Sequence, residues 1–172
     1  MHLGDFNSAD AASATATVAV WAAIPSWVEA LVDSRPYASV DALAEAADTA
    51  ARMWSAADLE TALAHHPRIG EKPTGVGAEA DASRREQASM TDAAAEITAQ
   101  IAAANAAYEE RFGRVFLIRA AGRSPEEMLA EARRRLGNDD DTEAAEALDQ
   151  LRQIALLRLR GAVTDDAEEG AA

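Results

Sequence analysis

The stretch SPEEMLAEARRRLGN, residues 124–138, spells out both ends of a helix. Ser124 suits the N-cap, Pro125 the first turn, and Glu127 completes a capping box three residues on. Gly137-Asn138 then supplies a stop. Between these signals lie strong helix formers. The same reading extends along the chain in both directions, and it sets the expected fold class as all-α.

Downstream, residues 142–160 read as a last helix, and TDDAEEGAA as a disordered acidic tail. Upstream, 83–112 is helical in pattern, with an interruption near Thr91. Ile97, Ile101, Ala104 and Tyr108 form its core stripe. Residues 39–54 place Val40, Leu43, Ala47 and Ala51 at helical spacing, and SAADLETALAHH from Ser55 must end before Pro67. Residues 8–22 and 26–33 make two shorter helices, separated by Pro25 and stopped before Pro36. Gly70, Pro73, Gly75 and Gly77 mark 67–80 as a loop.

One segment breaks the pattern. VFLIR, 115–119, is apolar, β-branched and aromatic, and reads as extended, yet no other stretch offers it a strand partner. Either it runs into the next helix or loop backbone, or some of its amides face a ligand, because buried backbone groups must be paired. The expectation is therefore a single-domain helical bundle of about seven to nine helices, with one short extended segment near 115–119. The domain spans 1–161 and the tail 162–172.

A formal net charge of −14 over 172 residues argues against nucleic acid and against an anionic membrane surface. The absence of cysteine removes disulfides, thiolate nucleophiles and cysteine-ligated zinc. ATATVAVWAA, 14–23, resembles a short apolar signal core, but Asp5 and Asp10 precede it and no lysine or arginine does. No apolar run reaches the roughly twenty residues that span a bilayer. The chain reads as soluble and cytoplasmic.

Candidates for chemistry are few. His65 and His66 are neighbours, about 100° apart on a helix, and cannot chelate from one face. His2 sits at a terminus expected to fray, and there is no HExxH, so no metal site is expected. Gly75-Val76-Gly77 lacks the GK[ST] of a phosphate loop. His66 is either a cation at a helix C-terminus or a general acid or base, restrained by Pro67. Ser83 and Glu86 form S-x-x-E, which means a capping box or two polar groups offered from one helix face to one ligand. On a helical wheel centred on Leu151, Leu148, Ile154, Ala155 and Leu159 share a seam, and Arg158 falls inside it. A buried arginine needs a paired fork, either with a carboxylate or with a ligand.

Taken together, HPRIG, SRREQ, NAAYEERFGRVFLI, AAGRSPEEML, RRRLGND and QIALLRLR resemble, in order and spacing, successive blocks of the OHCU decarboxylases. Those enzymes act on 2-oxo-4-hydroxy-4-carboxy-5-ureidoimidazoline (OHCU), the intermediate between urate and (S)-allantoin. GDFNSADAA and SRPYASVDAL carry the likeness from about residue 3 to 161. The resemblance implies an all-α homodimer with no cofactor and no metal. It places the catalytic histidine on His66 and the family's serine and glutamate on Ser83 and Glu86, with Glu86 either fixing the imidazole tautomer or binding ring and ureido N–H groups. Further substrate contacts fall on Arg158 and on backbone groups at Pro67 and Ile118. The substrate's own ring imine system can accept the electron pair left by carbon dioxide, so no external sink is implied. Two rivals stand beside this reading: an acidic helical interaction module without catalysis, and a related decarboxylase or hydrolase acting on another ureido ring.

Overall fold

Side-chain caps set most of the helix starts. The computed structural model describes residues 1–64, 68–70, 77–87 and 95–166, and among them the chain is all-α. Nine helices follow one another: α1 (Leu3–Ser8), α2 (Ala11–Trp21), α3 (Pro25–Asp33), α4 (Val40–Ala51), α5 (Ala56–Leu63), α6 (Ala78–Glu86), α7 (Ala95–Phe112), α8 (Pro125–Arg135) and α9 (Asp140–Ala162). Asp10, Ser39, Ser55 and Ser124 each accept a backbone N–H at the start of α2, α4, α5 and α8. At α8 the Glu127 carboxylate accepts in turn from the Ser124 amide at 2.7 Å, completing the expected box. Pro25 and Pro125 occupy first-turn positions, where a missing N–H costs nothing.

Several boundaries differ from expectation. The N-terminal stretch divides into α1 and α2, because Ala9 is extended and Asp10 caps afresh. Helix α4 ends at Ala51 with Arg52 as its cap, and the amides of Met53 and Trp54 then bond three residues back to Ala50 and Ala51. Helix α6 begins at Ala78, so the loop expected over 67–80 is shorter at that end. Its start is set by Gly77, whose φ of 117° is open to glycine and strained for an L side chain. The expected interruption near Thr91 lies outside the described residues. Residues 115–120 are non-helical and belong to no β ladder among the described residues.

The chain groups into two compact units. One comprises Met1–Trp54 with Ile154–Ala172. Its core gathers Phe6, Val18, Trp21, Ile24, Leu31, Leu43 and Leu159. Phe6 lies 5.8 Å from Trp21, and Trp27 packs edge-on against Trp54 at 5.5 Å. The terminus expected to fray is tied down here. Leu3 N–H donates to Thr164 at 2.9 Å, and Thr164 N–H donates to Met1 at 3.1 Å. The first acidic residues of the expected tail are also engaged. Asp165 accepts the Val40 amide at 2.7 Å, and Asp166 accepts the Gly4 amide at 3.1 Å. Both carboxylates thus sit at helix N-termini, where anions are favoured.

The other unit comprises Ser55–Gln153. Its apolar cluster joins Ile69, Ile101, Ala104, Tyr108, Phe116, Ile118, Met128, Leu129 and Ala132, with Ile97 packed at the edge. The α7 stripe read from sequence is therefore core.

Candidate active site

Begin with the segment that holds the two histidines. His66 and Pro67 lie outside the described residues, but the three residues that follow are held by side chains of α7 and by Gln87, the residue after α6. Arg68 forks onto Glu109, with Nη2 donating to Oε2 at 2.8 Å. Asn105 donates from Nδ2 to the Ile69 carbonyl at 2.9 Å, and Gly70 N–H donates to Gln87 Oε1 at 3.0 Å. The Arg68 hydrogen bond holds the Glu109 carboxyl below its ordinary range. A cleft of about 260 Å³ opens beside this stretch, lined by Arg68, Gly70, Thr98, Asn105 and Glu109 among others.

Ser83 and Glu86 share α6, one turn apart. Ser83 lies in the helix interior and is buried at 4% exposure, so the capping-box reading fails: the helix starts five residues earlier, at Ala78. What remains is a hydroxyl and a half-buried carboxylate on one face. The following residue, Gln87, caps α6 and reaches Gly70, so the SRREQ block helps fix the end of HPRIG.

The 115–119 segment solves its backbone problem without a partner strand. The Leu117 carbonyl accepts from Arg135 Nη1 at 2.7 Å, and Arg119 N–H donates to Gln150 Oε1 at 3.0 Å. Between them Ile118 is 2% exposed. Neither its N–H nor its C=O has a hydrogen-bond partner among the described residues. In an extended chain each residue points its own N–H and C=O to one edge, and successive residues alternate edges. Leu117 C=O and Arg119 N–H therefore take one edge, and Ile118 offers a donor and an acceptor from the other.

Arg135 is itself fully buried and paired with Glu143, also fully buried. Its Nε donates to Glu143 at 2.9 Å, and its guanidinium lies 4.8 Å from the centre of the Phe116 ring. Asn138 Nδ2 donates to the same carboxylate at 2.9 Å, and so does the Tyr108 hydroxyl. Burial, together with the bond to Glu143, pushes the Tyr108 phenol far above its ordinary value. The sign of the consequence follows. Above about pH 10 an unfolded tyrosine loses its proton while Tyr108 in the fold keeps it, so stability falls with pH by about 1.4 kcal/mol per unit. Below pH 10 this contribution is constant. Tyr108→Phe is expected to flatten the alkaline limb of a denaturation series by about that slope. An unchanged slope would mean that the folded phenol titrates normally.

Arg158, on α9, belongs to the first unit, whereas Ser83, Glu86 and Ile118 belong to the second. It is 8% exposed within the seam of Leu151, Ile154, Ala155 and Leu159, as its wheel position predicts. Its Nη1 donates to the Val20 carbonyl at 3.1 Å. Arg160 points away, exposed and paired with Asp41 at 2.7 Å, while Leu148 is only partly buried. Sequence reasoning missed Arg135, Glu143 and Gln150. The wheel argument that found Arg158 would have found Arg135, which follows Met128, Leu129 and Ala132 on the apolar face of α8. Among the described residues no cluster of three or more potential ligands suits a metal, and no helix is long and apolar enough to cross a membrane.

The helical architecture is shared with solved enzymes. A crystal structure of an OHCU decarboxylase in the presence of (S)-allantoin superposes with a TM-score of 0.71 at 24% identity, covering 83% of this chain and 93% of that one. An (S)-allantoin synthase superposes with a TM-score of 0.69 at 18% identity, covering 95% of this chain and 54% of that one. At such identities the likeness speaks for the fold. Sequence carries the assignment further: residues 7–160 match the family described as OHCU decarboxylase, and the chain belongs to it. The OHCU decarboxylase of Haloferax volcanii is 33% identical over 135 residues, covering 77% of this chain and 79% of the relative. The uric acid degradation bifunctional protein TTL of Arabidopsis thaliana is 30% identical over 139 residues, covering 78% of this chain but only 43% of that longer protein.

Proposed function

We propose that the chain decarboxylates OHCU to (S)-allantoin and carbon dioxide in urate breakdown, with His66 and Glu86 catalytic and Pro67, Ser83, Ile118 and Arg158 binding the substrate. The carrying observation is that the family match over 7–160 takes in every one of these positions. Each unit, taken by itself, buries its share of these positions: Ser83 and Ile118 are 4% and 2% exposed in the second, and Arg158 is 8% exposed in the first.

The chemistry asks for little apparatus. The bond to the carboxylate breaks, carbon dioxide leaves, and the electron pair flows through the ring carbon into the neighbouring imine. A proton from water is taken up in place of the carbon dioxide lost. The hydroxyl then gives up its proton while the carbon bearing the ureido group gains one, which creates the ring carbonyl and the stereocentre of allantoin. His66 is suited to both transfers, since imidazole accepts and donates near neutral pH. Glu86 would hold its tautomer or bind ring N–H groups. Ser83 and the Ile118 peptide would orient the ring. Arg158 is best aimed at a ring or ureido carbonyl, because a cation on the departing carboxylate would stabilise the ground state. No protein-borne electron sink is part of this scheme, and it uses neither cofactor nor metal. The family resemblance also supports a homodimer, which sedimentation decides.

Carbon dioxide release from freshly generated OHCU tests the proposal. The rate is expected to rise in proportion to protein concentration, and a rate equal to buffer at every concentration would refute it.

A further inference from the structure

We propose that Arg135 and Gln150 are positioning residues for the reaction: together they stand in for a missing neighbour strand and turn the Ile118 peptide edge towards the substrate. The inference rests on the reading of Ile118 as a substrate contact, and it adds the device that makes that contact possible. A lone extended segment has no ladder to set its rotation about its own axis, and an edge that could roll would present a ligand with a blurred donor–acceptor pair. Here two side chains grip a single edge. Arg135 Nη1 holds the Leu117 carbonyl at 2.7 Å and Gln150 Oε1 holds the Arg119 amide at 3.0 Å.

Both grips are themselves fixed. Glu143 holds the Arg135 fork, and the Phe116 ring lies 4.8 Å from the guanidinium, so the planar group has no freedom to follow a moving backbone. Gln150 is 8% exposed on α9. Its neighbour one turn on, Gln153, accepts from Arg119 Nε at 3.2 Å, and Arg119 Nη1 donates to Ala121 at 2.8 Å. The residue after Ile118 is thus held by both its backbone and its side chain. The other edge, unpartnered among the described residues and with the Ile118 N–H and C=O two atoms apart along the backbone, matches the cis-amide edge of a ureido or lactam group, which also offers one donor and one acceptor.

Gln150 gives the cleaner test, because Arg135 is also a major source of stability. Gln150→Met keeps volume and removes the acceptor, whereas Gln150→Glu restores one for the Arg119 amide. For Gln150→Met we expect KM for OHCU to rise about tenfold, kcat to change less than about twofold, and affinity for (S)-allantoin to fall by a similar factor, the worth of one misdirected buried hydrogen bond. Gln150→Glu should recover most of this loss. If Gln150→Met loses melting temperature but keeps KM and product affinity, Gln150 is structural only and the inference fails. A wild-type chain that does not accelerate OHCU loss at all refutes the parent proposal instead, so the two failures are distinguishable.

Discussion

Replacing His66 by asparagine is expected to lower kcat/KM by about 10²–10⁴, the usual worth of a positioned general acid–base, with little change in the melting curve. Asparagine keeps a polar side chain of similar reach but cannot exchange a proton at neutral pH. OHCU also decays unaided, so the fold-change is read after subtracting the buffer rate. His65→Asn serves as the control. It is expected to keep activity within about threefold, since only His66 is tied to Pro67. Equal losses in both variants would say that the pair acts through the fold and not through one imidazole.

Arg135→Met is expected to cost about 3–5 kcal/mol, the largest stability effect of any single change proposed. The arginine and Glu143 are both fully buried, and removing one leaves a carboxylate in an apolar surround. Tyr108 and Asn138 would still donate to that carboxylate but could not neutralise it. The Leu117 carbonyl would lose its donor as well. Against a typical total of about 5–15 kcal/mol, the variant would be near its unfolding threshold. Pairing it with Glu143→Leu should recover a large part of the loss, because the uncompensated charge is then gone. Urea unfolding checks both. A single variant within about 1 kcal/mol of wild type would contradict the account of this pair.

How far the sequence is legible depends on where the information is stored. Helix α8 is local: Ser124, Pro125 and Glu127 set its start within four residues, and the structure agrees. Arg158 is legible for a related reason, since helical periodicity converts a sequence position into a direction. Ser83 shows the limit. S-x-x-E has two local meanings, and the choice turns on Gly77, six residues before Ser83, whose backbone conformation opens α6 earlier than the motif suggests. The acidic tail misleads for the opposite reason. Asp165 and Asp166 look like solvated charge, yet their partners, Val40 and Gly4, lie more than a hundred residues away. VFLIR was legible as extended but not as satisfied, because its stand-in partners come from Arg135 and Gln150 on two later helices. His66 and Pro67 lie outside the described residues, and their roles rest on the family pattern and the proposed chemistry.

The central claim is catalysis on one face of the ring, and circular dichroism on freshly generated OHCU tests it most directly. The account predicts that (S)-allantoin signal grows at a rate proportional to protein concentration and disappears with His66→Asn. If optically active allantoin forms no faster than in buffer, or if both hands form equally while OHCU is consumed, the account is wrong.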